Sequence, residues 1–288
     1  MACSDIRTLP AEQAFIKQKR YDQMPLCFRS LCSSSSGNCL LIWSDTTRIM
    51  IDCGLPSMRR ARELFENSLG NGGRVDAVIV SHMHGDHINH ESLRVIDEYG
   101  LDLMVYESCL DQLRGKHYNG HRFRSMGLNT FSLQGFTIGE LQVQPFEVPH
   151  NPKVPNCGFV VNYKDGRAWK KAVIATDFHD GRGIGDYFTE ADFLFVESNH
   201  DPLLLARYFN PNSRFHMSNP KTAGLLHTAI KQSRKKPHTV MLGHLSSRRN
   251  TERHALEETE RFFRENGTQM GFNLFTAPRY EGSRSIDI

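Results

Sequence analysis

Residues 75–80 (VDAVIV) form a short apolar run that leads straight into SHMHGDH at 81–87. An uninterrupted apolar run of this length suits a strand buried on both faces, as in a parallel sheet covered by helices. Where that strand ends, four side chains able to bind a metal, His82, His84, Asp86 and His87, fall within six residues. Gly85 between them lets the backbone curl the four toward one centre. Imidazole with carboxylate suits Zn, Mn, Fe or Ni better than Ca or Mg alone. A surface loop that happens to be rich in histidine is the bland alternative. The spacing, set at the end of a buried strand, argues against it.

Three later residues close apolar β runs in the same way: His150 after QVQPFEVP, Asp177 after AVIAT and His244 after TVMLG. Strand ends on one edge of a sandwich converge in space although they lie far apart in sequence. Between these points strands and helices alternate. Residues 39–43 and 48–52 read as a hairpin across Ser44–Thr47. Residues 57–69 have helical spacing, and 91–99, 108–115 and 251–265 also read as helix. Further strands are expected at 103–107, 158–163, 171–177, 193–197, 239–244 and 271–276, with a strand–turn–strand meander over 130–149. A helix over 219–233 is expected to open with Asn219 as N-cap and Pro220 at its first position. Strand–helix alternation with added meanders predicts an α/β fold in four layers, an αββα sandwich, as one domain over 27–288 behind a polar arm at 1–26.

The bulk numbers narrow the setting. Net charge is only +3, from 35 basic and 32 acidic residues, so charge alone announces no nucleic-acid binder. No apolar run approaches the length of a bilayer span. Glu12, Lys17, Lys19, Arg20 and Asp22 interrupt any signal-peptide core in the first 26 residues. The seven cysteines are scattered, without a CxxC pair, which suits reduced thiols in a cytoplasmic protein.

HMHGDH at 82–87 resembles the HxHxDH signature of the metallo-β-lactamase superfamily, and the resemblance runs from about Phe28 to near the end of the chain. It implies the αββα fold and two divalent transition metal ions. Carried over by motif, His82, His84 and His150 would hold one metal, and Asp86, His87 and His244 the other. Asp177 would bridge them, and a metal-bridging hydroxide would be the nucleophile, with Asp86 helping to orient it.

The match narrows further. SLCSSSSGN at 30–38, DCG at 52–54, ATD at 175–177, ESNHD at 197–201, FHMSNPKTA at 215–223 and GHLSSRRNT at 243–251 resemble, in order and spacing, the YycJ/WalJ-like exonuclease branch. Cys32 and Ser33 depart from that branch's first turn, whereas Gly37 and Asn38 keep it. The branch implies a 5′ to 3′ DNA exonuclease. His200 follows a buried strand at the metal edge and could donate to a phosphate oxygen or a leaving group; the alternative is a helix-capping cluster using Asn199 or Asp201. His216 and Ser218 precede a helix whose N-terminus could cradle phosphate. Ser246 and Arg248 follow His244 and could meet the DNA backbone. KQSRKKPH at 231–238, with Arg122 and Arg124, could extend a basic track. Few aromatics interleave with these cations, so no stacking platform is expected there.

Two other functions compete. A small cyclic phosphodiester would need a closed pocket, whereas DNA would need an open basic groove. A non-catalytic metal-binding module is disfavoured because all seven ligand positions are filled. No feature speaks to oligomeric state.

Overall fold

The computed structural model describes residues 25–69, 74–166 and 168–288. Its strands, in chain order, are β1 (Cys27–Ser34), β2 (Gly37–Trp43), β3 (Arg48–Ile51), β4 (Ala77–Val80), β5 (Asp102–Tyr106), β6 (Gly127–Phe131) and β7 (Phe136–Ile138). There follow β8 (Leu141–Glu147), β9 (Cys157–Asp165), β10 (Ala168–Ala175), β11 (Phe193–Glu197), β12 (Thr239–Gly243), β13 (Asn273–Thr276) and β14 (Ile286–Asp287). The helices are α1 (Met58–Leu69), α2 (His90–Glu98), α3 (Leu110–His117), α4 (Pro202–Arg207), α5 (Asn219–Gln232) and α6 (Glu252–Glu265).

The strands form two seven-stranded sheets, ordered β14-β1-β2-β3-β4-β5-β6 and β13-β12-β11-β10-β9-β8-β7. Each sheet changes character midway. Pairing is antiparallel from β14 to β3 and parallel from β3 to β6. In the second sheet it is antiparallel from β7 to β10 and parallel from β10 to β13. Ligands of α/β sheets gather beyond the carboxyl ends of parallel strands where connectivity reverses, which here means the ends of β3, β4 and β10–β12.

Side-chain alternation along a strand explains the layering. On β11, Phe193 and Phe195 join the cluster between the sheets, where Phe28 of β1 meets their rings at centroid distances of 4.5 and 5.4 Å. Leu194 and Val196 point the other way, onto Leu226, Ala229 and Ile230 of α5 and Ala255 and Phe263 of α6. Ala61, Leu64 and Phe65 of α1, with Leu93, Val95 and Ile96 of α2, pack on the first sheet from outside. The result is the helix–sheet–sheet–helix sandwich that the alternation pattern predicts.

The differences from expectation are local. The Ser-rich stretch at 30–38 is mostly strand β1, turning only at Ser35 and Ser36. The meander at 130–149 is split, because β6 joins the first sheet and β7 the second. The N-cap of α5 is Ser218, not Asn219. Asn219 lies in the first turn, fully buried, where its side chain bonds Ser198 and Asn250. That internal network claims the amide that capping would have used. The arm expected at 1–26 lies outside the described residues, except for Pro25 and Leu26. Leu26 is buried, and its carbonyl accepts from Ile288 N–H at 2.8 Å.

The metal-motif loop is pinned by main-chain bonds from neighbouring strands. Asn38 N–H donates to Asp86 O and Cys53 N–H to His87 O, both at 2.8 Å, and Cys157 N–H donates to Ser81 O at 3.1 Å. Gly54 lies flat against this loop. A Cβ there would stand 1.8 Å from the Asp86 carbonyl carbon and 2.3 Å from His87 N, backbone atoms that cannot swing aside. Gly54→Ala is therefore expected to destabilise the fold by about 3 kcal/mol and to lower metal content. Urea midpoint and elemental analysis on one preparation check both.

Candidate metal centre

Strand ends deliver the site. β4 runs into Ser81 and the motif loop, β8 leads to His150, β10 to Asp177, β11 ends in Glu197 and β12 leads to His244. Asp52, Asp177 and His244 each take a left-handed backbone conformation, with φ of 61°, 57° and 53°. L residues adopt it at a cost of about 1–2 kcal/mol, and here it turns the chain sharply off each strand so that the side chain faces inward.

The seven expected ligands converge. His82, His84 and His150 form one group whose donor atoms lie within 4.8 Å of one another, and Asp86, His87 and His244 form another. Asp177 joins them, in a further cluster with His82 of the first group and His87 of the second; its Oδ2 is 2.9 Å from His87 Nε2 and 3.5 Å from His244 Nε2. That oxygen is buried and has no well-aligned hydrogen-bond partner.

The donor set fits cations. In the first group His84 Nδ1 faces His82 Nε2 at 2.9 Å and His150 Nε2 at 3.2 Å. Burial, reinforced by the neighbouring imidazoles, lowers the pKa of His82 and brings that of His84 to about 4. Burial lowers His150 as well. Three rings that favour the neutral form thus turn nitrogens toward one another at hydrogen-bond distance, where a shared cation would take all three.

The ring atoms facing away from the centre are occupied. His150 Nδ1 donates to Phe215 O at 3.1 Å. His87 Nδ1 donates to Asp52 Oδ2 at 2.7 Å, and His244 Nδ1 to Glu197 Oε1 at 2.9 Å. Carboxylates placed behind imidazoles fix the tautomer and leave Nε2 to the metal. Asp52 is itself held by Ser81, through N–H at 2.8 Å and Oγ at 2.9 Å. Burial works against charge on His87 and His244, but the surrounding carboxylates outweigh it. Asp177, Asp52 and Asp86 raise His87 well above its ordinary value, and Asp177, Asp86 and Glu197 bring His244 to about 10.

The expected substrate residues divide. His216 joins the centre: its Nδ1 donates to Glu197 Oε1 at 2.7 Å and lies 3.4 Å from Asp177 Oδ1. His200 stands one step back, buried, beside a cavity that it shares with His216 and Ser218. Asp201 caps α4 by accepting from Leu203 and Leu204 N–H. Ser246 is buried, and its Oγ accepts from Arg249 N–H at 3.3 Å, whereas Arg248 is exposed on the same turn.

The motifs DCG and ESNHD contain Asp52 and Glu197 but gave neither a role, and Asn38 was expected as a turn residue. Asn38 is buried, with Nδ2 3.1 Å from His87 Nε2. The available signal was that RIMID and FLFVE both end in a carboxylate at the ligand edge. Glu197→Gln keeps the shape but weakens the hold on two imidazoles. It is expected to cost about 10–100-fold in metal affinity or activity, read by metal titration of the purified variant.

A family described as "Beta-lactamase superfamily domain" matches residues 47–244, well over half of the chain. The chain belongs to the beta-lactamase superfamily. As a member of that superfamily it is a metal-dependent hydrolase. Exodeoxyribonuclease WalJ of Streptococcus pneumoniae is 26% identical over 231 residues, spanning 76% of this chain and 81% of that protein. Exodeoxyribonuclease YycJ of Bacillus anthracis is 29% identical over 188 residues, spanning 63% of this chain and 66% of that one. Among solved structures, the metallo-beta-lactamase fold protein YhfI from Bacillus subtilis aligns with a TM-score of 0.69 at 15% identity. That alignment covers 92% of this chain and all of YhfI, a likeness of fold. Within the superfamily sandwich the site occupies one edge, where both sheets present carboxyl ends of parallel strands. No described helix is long and apolar enough to cross a membrane.

Proposed function

We propose that this hydrolase is a dinuclear-metal-dependent DNA exonuclease working from the 5′ end. The observation that carries the two-metal reading is the two-part donor set, one group of three neutral imidazoles and one of two imidazoles with Asp86, facing each other across Asp177. The choice of DNA is supported by two relatives, both named exodeoxyribonucleases. His82, His84 and His150 would hold one cation, and Asp86, His87 and His244 the other, with Asp177 shared; Zn or Mn suits these ligands, and Fe or Ni is compatible. When bound, such cations supply a water acidified toward neutrality and take up charge developing on phosphate oxygens.

The chain's own groups do the rest. Asp52 and Glu197 hold His87 and His244 in the ligating tautomer. Asp86, partly open to solvent, orients the attacking water. His216, anchored through Nδ1 to Glu197, presents its other ring N–H to give a proton to the leaving oxygen. His200 and Ser218 line the adjoining cavity, and Arg248 offers a cation to the phosphate backbone. We take residues 27–288 as the hydrolase domain in a cytoplasmic protein, a setting that the six buried, unpaired cysteines among the described residues support.

Incubation of 5′-phosphorylated duplex DNA with the Mn²⁺-loaded protein is expected to release short products progressively from the 5′ end. Turnover of a cyclic phosphodiester, with no DNA product under any divalent metal, would move the function to small-molecule hydrolysis.

A further inference from the structure

α4 and the segment after it break the ordinary rule for apolar side chains. No residue of α4 is buried. Leu203 is 81% exposed, Phe209 79% and Tyr208 44%. Three large apolar groups within seven residues forgo the burial that the hydrophobic effect rewards, and such clusters mark contact surfaces.

Behind Phe209 lies a cavity of about 330 Å³, whose lining includes His200, Arg214, His216, Ser218 and Lys221 and contains no carboxylate. Several of its polar groups lack partners. His200 is 7% exposed, and its Nδ1 is buried without a hydrogen bond. Ser218 begins α5 without donating or accepting a side-chain capping bond. Lys221 Nζ donates to His179 O at 2.9 Å, which leaves two N–H groups for a ligand. His216 forms the wall nearest the metal centre, through its 3.4 Å approach to Asp177. His216 thus belongs both to the cavity lining and to the metal centre.

We propose that the 203–209 ridge and the cavity behind it bind the nucleotide at the end of the strand being cut, with its base against Phe209 and its phosphate between Arg214 and Lys221. An apolar lip, a pair of cations and unpaired donors in one acid-free recess match a base carrying a phosphate. His216, common to both, sets the recess beside the centre where the scissile bond would lie. Arg207, stacked over the Tyr208 ring at 5.3 Å, adds positive charge along the approach. The inference rests on the nuclease reading above. It also supplies the aromatic surface that sequence reading did not find near the basic clusters at 122–124 and 231–238.

The test compares two substrates on the full-length Mn²⁺-loaded protein: a 5′-phosphorylated duplex oligonucleotide and bis-p-nitrophenyl phosphate. Phe209→Ala and Arg214→Ala are expected to lower the ratio of DNA kcat/KM to small-ester kcat/KM by about tenfold. Most of the loss should appear in KM, and Phe209→Trp should restore it. An unchanged ratio in both alanine variants would overturn the proposal, as would equal losses on the two substrates. A wild-type protein that turns over the ester but no DNA defeats the nuclease reading itself, a distinct failure. If Phe209→Ala instead changed only the particle mass in solution, the ridge would be a contact between copies of the chain.

Discussion

Asp177→Asn is expected to abolish phosphodiester hydrolysis, lowering turnover of bis-p-nitrophenyl phosphate by at least about 10³-fold. Asp177 clusters with His82 of one group and with His87 of the other. Its Oδ2 faces His87 and His244, and its Oδ1 lies 3.4 Å from His216 Nδ1. Asparagine keeps the side-chain shape and tolerates the left-handed backbone, so the loss reports charge and ligation rather than misfolding. A loss of several kcal/mol of charge stabilisation corresponds to the stated factor at about 1.4 kcal/mol per tenfold. His84→Ala should match it, because His84 Nδ1 is the atom that faces both His82 and His150. Full activity in both variants would remove the site assignment altogether.

Chelation is expected to abolish activity and to lower Tm by about 5–10 °C. A ligand present at a hundred times its Kd stabilises by about 2.7 kcal/mol, and a chain of this length moves about 2–4 °C per kcal/mol. The effect should grow with pH. In the metal-free protein the surrounding carboxylates hold protons on His87 and His244, the latter titrating at about 10. A cation at Nε2 must displace those protons, so affinity rises with pH up to that value. The stability of the metal-free protein runs the other way. A histidine whose folded pKa is raised contributes fully below its ordinary 6.5 and loses that contribution as pH climbs toward about 10. The gap in Tm between loaded and chelated protein should thus widen from pH 6.5 to 9. Calorimetry in buffers of different ionisation heat should register on the order of two protons released on loading. A gap that narrows over this range would contradict the charge state assigned to the pair.

Regular elements were legible where one periodicity dominated. Residues 57–69 were expected as helix and form α1 over Met58–Leu69; residues 193–197 were expected as a strand and form β11. β1 was not legible as a strand, because serines occupy three of the eight positions of CFRSLCSS. Those serines are buried through partners far off in the chain, as when Ser283 Oγ accepts from Ser30 N–H at 3.1 Å. The seven converging side chains could be picked out because each follows an apolar run. Their supports were less legible: RIMID and FLFVE end in carboxylates at the ligand edge, but the Glu197–His244 bond joins residues 47 positions apart. No periodicity encodes that pairing. α4 entered only as the helix that Asn199 or Asp201 could cap, a role Asp201 takes; six residues of PLLLAR are too short for a helical period to show, and its leucines are not buried.

The inward turns at Asp52, Asp177 and His244 have a consequence for anyone reshaping this protein. Glycine adopts such turns without steric penalty, so His244→Gly and Asp177→Gly would relieve main-chain strain even as they empty the site. In the chelated protein the same changes also give up the ion pairs that His244 makes with Asp86, Asp177 and Glu197, so a screen for thermal resistance alone sets backbone strain against those pairs. A selection that also rewards bound metal tips the balance toward keeping these three side chains.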